Sequence, residues 1–194
     1  VTIPGAPFVL DAVRAEAAQR ALRLLHLIAG VSYYKAGVPA QVVVEGYAVD
    51  ADTAALVESI YLNGLGEFAY RNGLDLRGRF ALPVDSQAAA APAIGLGADA
   101  LVAIGGGKDS LVSIEALRRA GVAQTITWIG NSQLIRACAE RTGLATLNIG
   151  RSLAPELFEL NQQGAWNGHI PVTAVNSAIL VLAAVLRGSG QVVF

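Results

Sequence analysis

Gly105-Gly106-Gly107-Lys108-Asp109-Ser110 is the stretch on which the fold of this chain turns. The apolar run Ala100-Leu101-Val102-Ala103-Ile104 precedes it and reads as a buried parallel strand. Leu111-Val112-Ser113-Ile114-Glu115-Ala116-Leu117-Arg118-Arg119-Ala120 follows, a helix closed by Gly121. Strand, glycine loop, helix is how α/β proteins hold phosphate. Glycine lets the backbone approach the anion, and the first helical N–H groups point at it. A Walker A loop would need Gly at the place of Val102 and Ser or Thr at the place of Asp109, so that pattern fails twice. A dinucleotide fingerprint wants Gly or Ala where Ser110 stands. Gly95-Leu96-Gly97-Ala98-Asp99-Ala100 does fit that fingerprint, but it precedes the strand and reads as linker. The plain alternative is a turn that binds nothing, yet turn chemistry alone does not call for Lys-Asp-Ser at this place.

Downstream the pattern is regular. Strands are expected at 100–104, 125–129, 144–149 and 191–194, and helices at 109–120, 132–141, 153–163 and 173–186. Alternating strands and helices predict an α/β fold, a parallel sheet built by right-handed crossovers with helices on both faces. Ligand is then expected at the carboxyl ends of the strands, where the Gly105 loop, Gly130-Asn131 and Gly150-Arg151-Ser152 fall.

Upstream the chain reads as part of an N-terminal α+β unit over 1–82. Asp11 caps a helix to about Ile28, with Gly30 beyond its end. Val31-Ser32-Tyr33-Tyr34-Lys35-Ala36 between two glycines reads as a polar-aromatic turn, its rings packed on the core or offered to a sugar or nucleobase. Gln41-Val42-Val43-Val44-Glu45 reads as a short strand, and Asp50 or Asp52 caps a helix to about Arg71, weakened at Gly64 and Gly66. The Ala- and Pro-rich stretch 83–97 reads as a linker, leaving 98–194 as the ligand-binding domain. With Val1 first and no Met, the chain reads as a piece of a longer protein, its last domain truncated after Phe194.

A length of 194 residues with 54% hydrophobic residues suits one domain or slightly more. The net charge of −1 argues against a nucleic-acid surface and a polybasic membrane patch. The longest apolar run, 178–186, is too short to insert in a bilayer. The single cysteine, Cys138, excludes an internal disulfide, suits a cytoplasmic, reducing setting, and reads as core. One thiol also cannot supply a two-thiol racemase. Asn167-Gly168-His169-Ile170-Pro171-Val172-Thr173 places His169 in a loop at a helix N-terminus, where anions collect; a packing or capping histidine is the plain alternative.

The glycine loop resembles the Ser-Gly-Gly-x-Asp-Ser loop of the PP-loop ATP pyrophosphatases, an adenine nucleotide alpha hydrolase-like fold, with Gly105 in place of the first Ser. Joined to Val31–Ala36 and to Asn167–Ser177, it resembles more narrowly the ATP-dependent UDP-N-acetylmuramoyl-L-alanyl-L-glutamate epimerases of peptidoglycan synthesis. The resemblance implies inversion of the terminal L-Glu through an acyl-adenylate, with release of AMP and pyrophosphate. It implies ATP held by Gly105, Gly106, Gly107, Lys108, Asp109 and Ser110, Mg²⁺ at Asp109, and catalytic roles for Lys108 and His169. It also implies a UDP-muramoyl dipeptide partner, with residues 1–82 as a substrate-binding unit. Another PP-loop ligase or thiolase, or a non-catalytic nucleotide sensor, stays open from the residues alone.

Overall fold

A computed structural model describes residues 1–86, 88 and 91–194. Eight helices are described, α1 (Ala12–Ala29), α2 (Val31–Gly37), α3 (Ala51–Gly64), α4 (Gly66–Arg71), α5 (Lys108–Arg119), α6 (Gln133–Arg141), α7 (Pro155–Gln162) and α8 (Val172–Arg187). The strands are β1 (Gly97–Ala103), β2 (Gln124–Ile129), β3 (Ala145–Ile149) and β4 (Ser189–Val193). They form two compact units, each assembled from separated segments. A sheet unit takes 1–21, 92–152 and 179–194, and a helical unit takes 22–91 and 153–178.

This division differs from the expected cut into 1–82, a linker at 83–97 and 98–194. Residues 87, 89 and 90 of that linker lie outside the described residues. The long helices α1 and α8 each begin in one unit and end in the other. A helix holds its own backbone hydrogen bonds along its length, so composition along the chain does not mark where its packing partner changes.

In the sheet unit the strand order is β3-β2-β1-β4, every pair parallel. The pairing sets Ala103 beside Thr127 and Ile129 beside Ile149. One face carries Ala100, Val102, Ile104, Ile126 and Trp128, packed with Ile114 of α5 and Ala139 of α6; Cys138 packs against the same cluster. These alternate residues share a face because side chains in a strand repeat every two residues. Leu101 and Thr127, on the opposite face, are also fully buried, so both faces of the central strands are covered. That explains the near-continuous apolar reading of 100–104. Each fully buried Val or Ile contributes about 1.5–3 kcal/mol. Asp11 accepts the Arg14 N–H at 2.8 Å and starts α1. The Arg14 guanidinium in turn donates to the carbonyls of Val185 and Leu186 at 3.1 Å, closing the last turn of α8.

In the helical unit two expectations are corrected. Val31–Gly37 is a helix, not a turn. No breaker lies between its flanking glycines, and burial of Val31 and Tyr34 three residues apart supplies an apolar stripe. Gln41–Glu45 is not a strand: among the described residues no chain lies alongside to take its ladder bonds. The unit is therefore helical among its described residues, rather than α+β. Asp50 caps α3, accepting the Thr53 N–H at 2.8 Å. The predicted single helix to Arg71 breaks at Leu65. Gly64 there lies against Pro171, and a Cβ on it would stand 2.6 Å from the proline Cβ. Tyr34, Tyr61 and Phe80 form an aromatic cluster, Tyr61 and Phe80 stacked at 4.1 Å. The Tyr61 hydroxyl donates to the Leu27 carbonyl at 2.7 Å, and burial pushes its acidity far weaker than that of a free tyrosine.

Candidate functional site

The order β3-β2-β1-β4 places β1 at the point where the chain switches direction across the sheet. From β1 it moves outward through α5, β2, α6 and β3, and returns through α8 to pair β4 on the other side of β1. In open parallel sheets the crevice at such a switch point, beyond the carboxyl ends of the strands, is where ligands bind. The Gly105–Ser110 loop leaves β1 there.

Gly106 has φ +83, a left-handed conformation that glycine adopts without strain. Added Cβ atoms at Gly105 and Gly107 would meet nothing within 4 Å. The outer side of the loop is thus bare backbone. Gly107 sits at the N-cap of α5 in extended conformation, and no side chain caps the helix. The first N–H groups of a helix lack partners within it. Here they stay open to an anion, and the helix dipole favours negative charge at this end. The Ser110 hydroxyl donates to the Gly107 carbonyl at 3.0 Å, which steadies the turn from the inside. Lys108 and Asp109 are exposed on the first turn.

The same edge continues past β2 and β3. Gly130, at φ +98, donates its N–H to the Ile149 carbonyl at 2.9 Å, and the Asn148 amide donates to the Gly130 carbonyl at 2.9 Å. Ser132 caps α6. Gly150 exchanges two backbone bonds of 2.9 Å with Thr2, an antiparallel bridge that ties the start of the chain to the end of β3. The three strand ends expected to line the site therefore do lie side by side.

His169 belongs to the helical unit and is exposed, three residues before α8 begins. Its neighbours are firmly held. Asn167 accepts the Lys35 ammonium at 2.8 Å across 132 residues and the Gly168 N–H at 2.9 Å. Its carbonyl accepts from Asn72 at 3.4 Å. Lys35 is buried, and desolvation pulls its pKa below the ordinary lysine value. Two of the stretches that drew attention in the sequence, Val31–Ala36 and Asn167–Ser177, thus meet through Lys35 and Asn167 inside one unit. Sequence reasoning had not paired them. The available signal was a lysine set among residues destined for burial, with no acidic residue near it in sequence to serve as partner.

The six residues of the loop define what it could hold. Its open glycines and uncapped helix suit phosphate oxygens, and Lys108 could supply a cation to them. Magnesium needs only one or two carboxylates when a nucleotide supplies the remaining ligands, so Asp109 alone fits. Among the described residues no group of three or more His, Cys, Asp or Glu could hold a metal by itself.

An α/β protein with a bare glycine loop at the switch point of a parallel sheet is what the fold and the site define. Over its whole length, residues 1–194, the chain matches the family described as MurL N-terminal domain. It belongs to that family. It is 73% identical, over 100% of its length, to 43% of a Xanthomonas oryzae pv. oryzae protein named UDP-N-acetyl-alpha-D-muramoyl-L-alanyl-L-glutamate epimerase. It is 47% identical to a protein of that name from Micromonospora, covering 90% of this chain and 39% of the relative. A Salinispora tropica protein of the same name is 44% identical over 90% of this chain and 38% of its own. The chain therefore spans less than half the length of the curated relatives it matches. No solved structure matches it. No helix among the described residues is long and apolar enough to cross a membrane.

Proposed function

We propose that this chain is the nucleotide-activating part of an enzyme that epimerises the terminal L-Glu of UDP-N-acetylmuramoyl-L-alanyl-L-glutamate, a peptidoglycan precursor, at the expense of ATP. The observation that carries the ATP assignment is the uncapped N-terminus of α5 behind three glycines at the sheet's switch point. The substrate assignment rests on the relatives' name.

The chemistry explains why ATP belongs in such a reaction. Removing the α-proton of a free carboxylate would build a dianion. A carboxylate oxygen attacks the α-phosphorus of ATP, pyrophosphate leaves, and the resulting mixed anhydride is neutral at the former carboxylate. Loss of the α-proton then gives a singly charged enolate. Reprotonation on the opposite face and hydrolysis of the anhydride yield the dipeptide ending in D-Glu, and AMP. In this scheme the loop amides and Lys108 bind the phosphates and neutralise charge as pyrophosphate departs. Asp109 would hold Mg²⁺, which would offset phosphate charge. His169 is assigned to stabilising the adenylated centre.

The test uses the full-length protein. Pyrophosphate release should require the UDP-linked dipeptide, and deuterium from D₂O should enter the α-position only with ATP present. Lys108→Ala should cut both signals at least about tenfold while moving stability by less than about 0.5 kcal/mol, because Lys108 is exposed. Deuterium exchange at full rate without ATP would falsify the scheme. Pyrophosphate release with a different acceptor would turn it toward a ligase. With His169→Ala, parallel loss of both signals supports the assigned role, whereas surviving pyrophosphate release without exchange makes this residue a proton carrier instead.

A further inference from the structure

We infer that Lys35 is a positioning residue for His169, acting through Asn167; the inference deepens the proposed reaction and rests on the role assigned to His169 there. All the parts belong to the helical unit. The loop before α8 carries His169 into solvent, yet the residues on both sides of it are pinned. Asn167 is exposed, but its side-chain oxygen accepts two donors at once, the Lys35 ammonium at 2.8 Å and the Gly168 N–H at 2.9 Å. Two bonds on one oxygen fix the plane of that amide, and with it the peptide that leads toward His169. Asn72 donates to the carbonyls of Phe68 and Asn167, at 2.8 and 3.4 Å. Gly168 lies on the buried Phe68 ring: a Cβ there would stand 3.0 Å from a ring carbon. Pro171 is seated against Gly64. Among the described residues no hydrogen bond reaches the His169 ring, so the backbone beneath it decides where it points.

Packing on Phe68 and Gly64 keeps the loop against the unit. What Lys35 adds is direction, and it does so at a cost to stability. Lys35 is 8% exposed, and its one side-chain hydrogen bond among the described residues goes to the neutral Asn167 amide. A buried ammonium loses its hydration, and a neutral oxygen offsets less of that loss than a carboxylate does. A methionine of similar length would fill the same space without the penalty. Binding and reacting groups, by contrast, need their supports locked by hydrogen bonds, and natural proteins give up stability at such places. A buried cation spent on orienting one exposed asparagine, two residues before His169, has the character of such a support and not of a stabilising core contact.

The experiment compares Lys35→Met and Asn167→Ala with the parent in the full-length protein, each alone and combined with His169→Ala. It reads kcat and KM for the UDP-linked dipeptide and for ATP, together with hydrogen exchange at the Gly168 amide. Asn167 is exposed, so Asn167→Ala cuts the same link without touching the core, should Lys35→Met fold poorly. Each variant should lower kcat by about 10- to 100-fold, the loss expected when a reacting group is displaced by about 1 Å. Both KM values should stay within about twofold of the parent's, since only the transition state is affected. Exchange at Gly168 should quicken by about tenfold or more as the loop loosens. On top of His169→Ala, neither change should slow the reaction by more than about twofold, because the group they position is gone. A role in stability alone would lower the melting temperature and leave kcat per folded molecule as it was, which overturns the inference. So does the same fractional loss of kcat with and without His169. If His169→Ala is slow while Lys35→Met and Asn167→Ala run at the parental rate, the role of His169 stands and the positioning falls. If His169→Ala runs at the parental rate, its assigned role falls and the positioning with it. If the parent does not epimerise the dipeptide, the reaction assignment falls, and pyrophosphate release by the same variants decides the positioning alone.

Discussion

Gly107→Asp separates what the α5 N-terminus does for the fold from what it does for a ligand. Gly107 has φ −88 and ψ 169, the extended conformation usual for an N-cap, and an added Cβ meets nothing within 4 Å. Aspartate therefore fits without strain. As a cap it improves on glycine by a few tenths of a kcal/mol. Its charge at the positive end of the helix dipole adds about 0.3–1 kcal/mol. The expected gain is about 0.5–1 kcal/mol, or about 1–4 °C in Tm for a protein of this size. The same carboxylate takes the N–H groups proposed for phosphate and repels it. One charge about 4 Å from a phosphate oxygen is worth about 4 kcal/mol at an effective dielectric of 20, less once solvent screens an exposed loop. ATP binding should then fall by roughly ten- to a hundredfold or more. Thermal melting and ATP calorimetry on the full-length protein read both effects. A lower Tm, or unchanged ATP affinity, would refute the argument that this helix end is left uncapped for an anion.

Two further outcomes follow from the helical unit. Gly64→Ala drives a methyl into the Pro171 ring, 2.6–2.7 Å away; overpacking of about 1–3 kcal/mol exceeds the helix propensity gained, and Tm should fall by a few degrees, whereas a rise would contradict the packing. Lys35→Met tests the buried ammonium. Burial lowers the folded-state pKa below the ordinary 10.5, so the unfolded chain binds more protons between the two values. The parent should therefore gain stability relative to Lys35→Met as pH rises through the window ending at 10.5, and parallel pH profiles for the two proteins would contradict the assignment.

The sheet unit was legible because its signals are local. Runs of four to six residues, mostly apolar and each with a glycine at one end, marked the strands, and Gly121 and Gly130 marked turns between them. Gly105–Ser110 stood out because the same few residues end a strand, turn the chain and start a helix. The helical unit was harder to read. Val31–Gly37 forms a helix too short to be stable alone, so its helicity comes from packing that sequence does not display. Gln41–Glu45 has the composition of a strand, but β-propensity measures fit to a neighbouring strand, and none is present among the described residues. The Lys35–Asn167 bond joins residues 132 apart, a distance no periodicity reports. Lys108 and Asp109 are proposed from pattern alone.

The pairing of β1 with β4 has a consequence for how this chain is made. The Ser189 hydroxyl donates to Asp99 at 2.6 Å across 90 residues, and Gly97 begins its ladder against the same late strand. At ribosomal rates of about 5–20 residues per second, β1 emerges on the order of 5–20 s before β4 does. Throughout that interval the strand that carries the glycine loop keeps one hydrogen-bonding edge open, among the most apolar residues of the chain. The newborn protein therefore passes through a stage in which Leu101 and Val102 invite pairing with any other exposed strand, and factors that shield nascent chains should raise its soluble yield most during that stage.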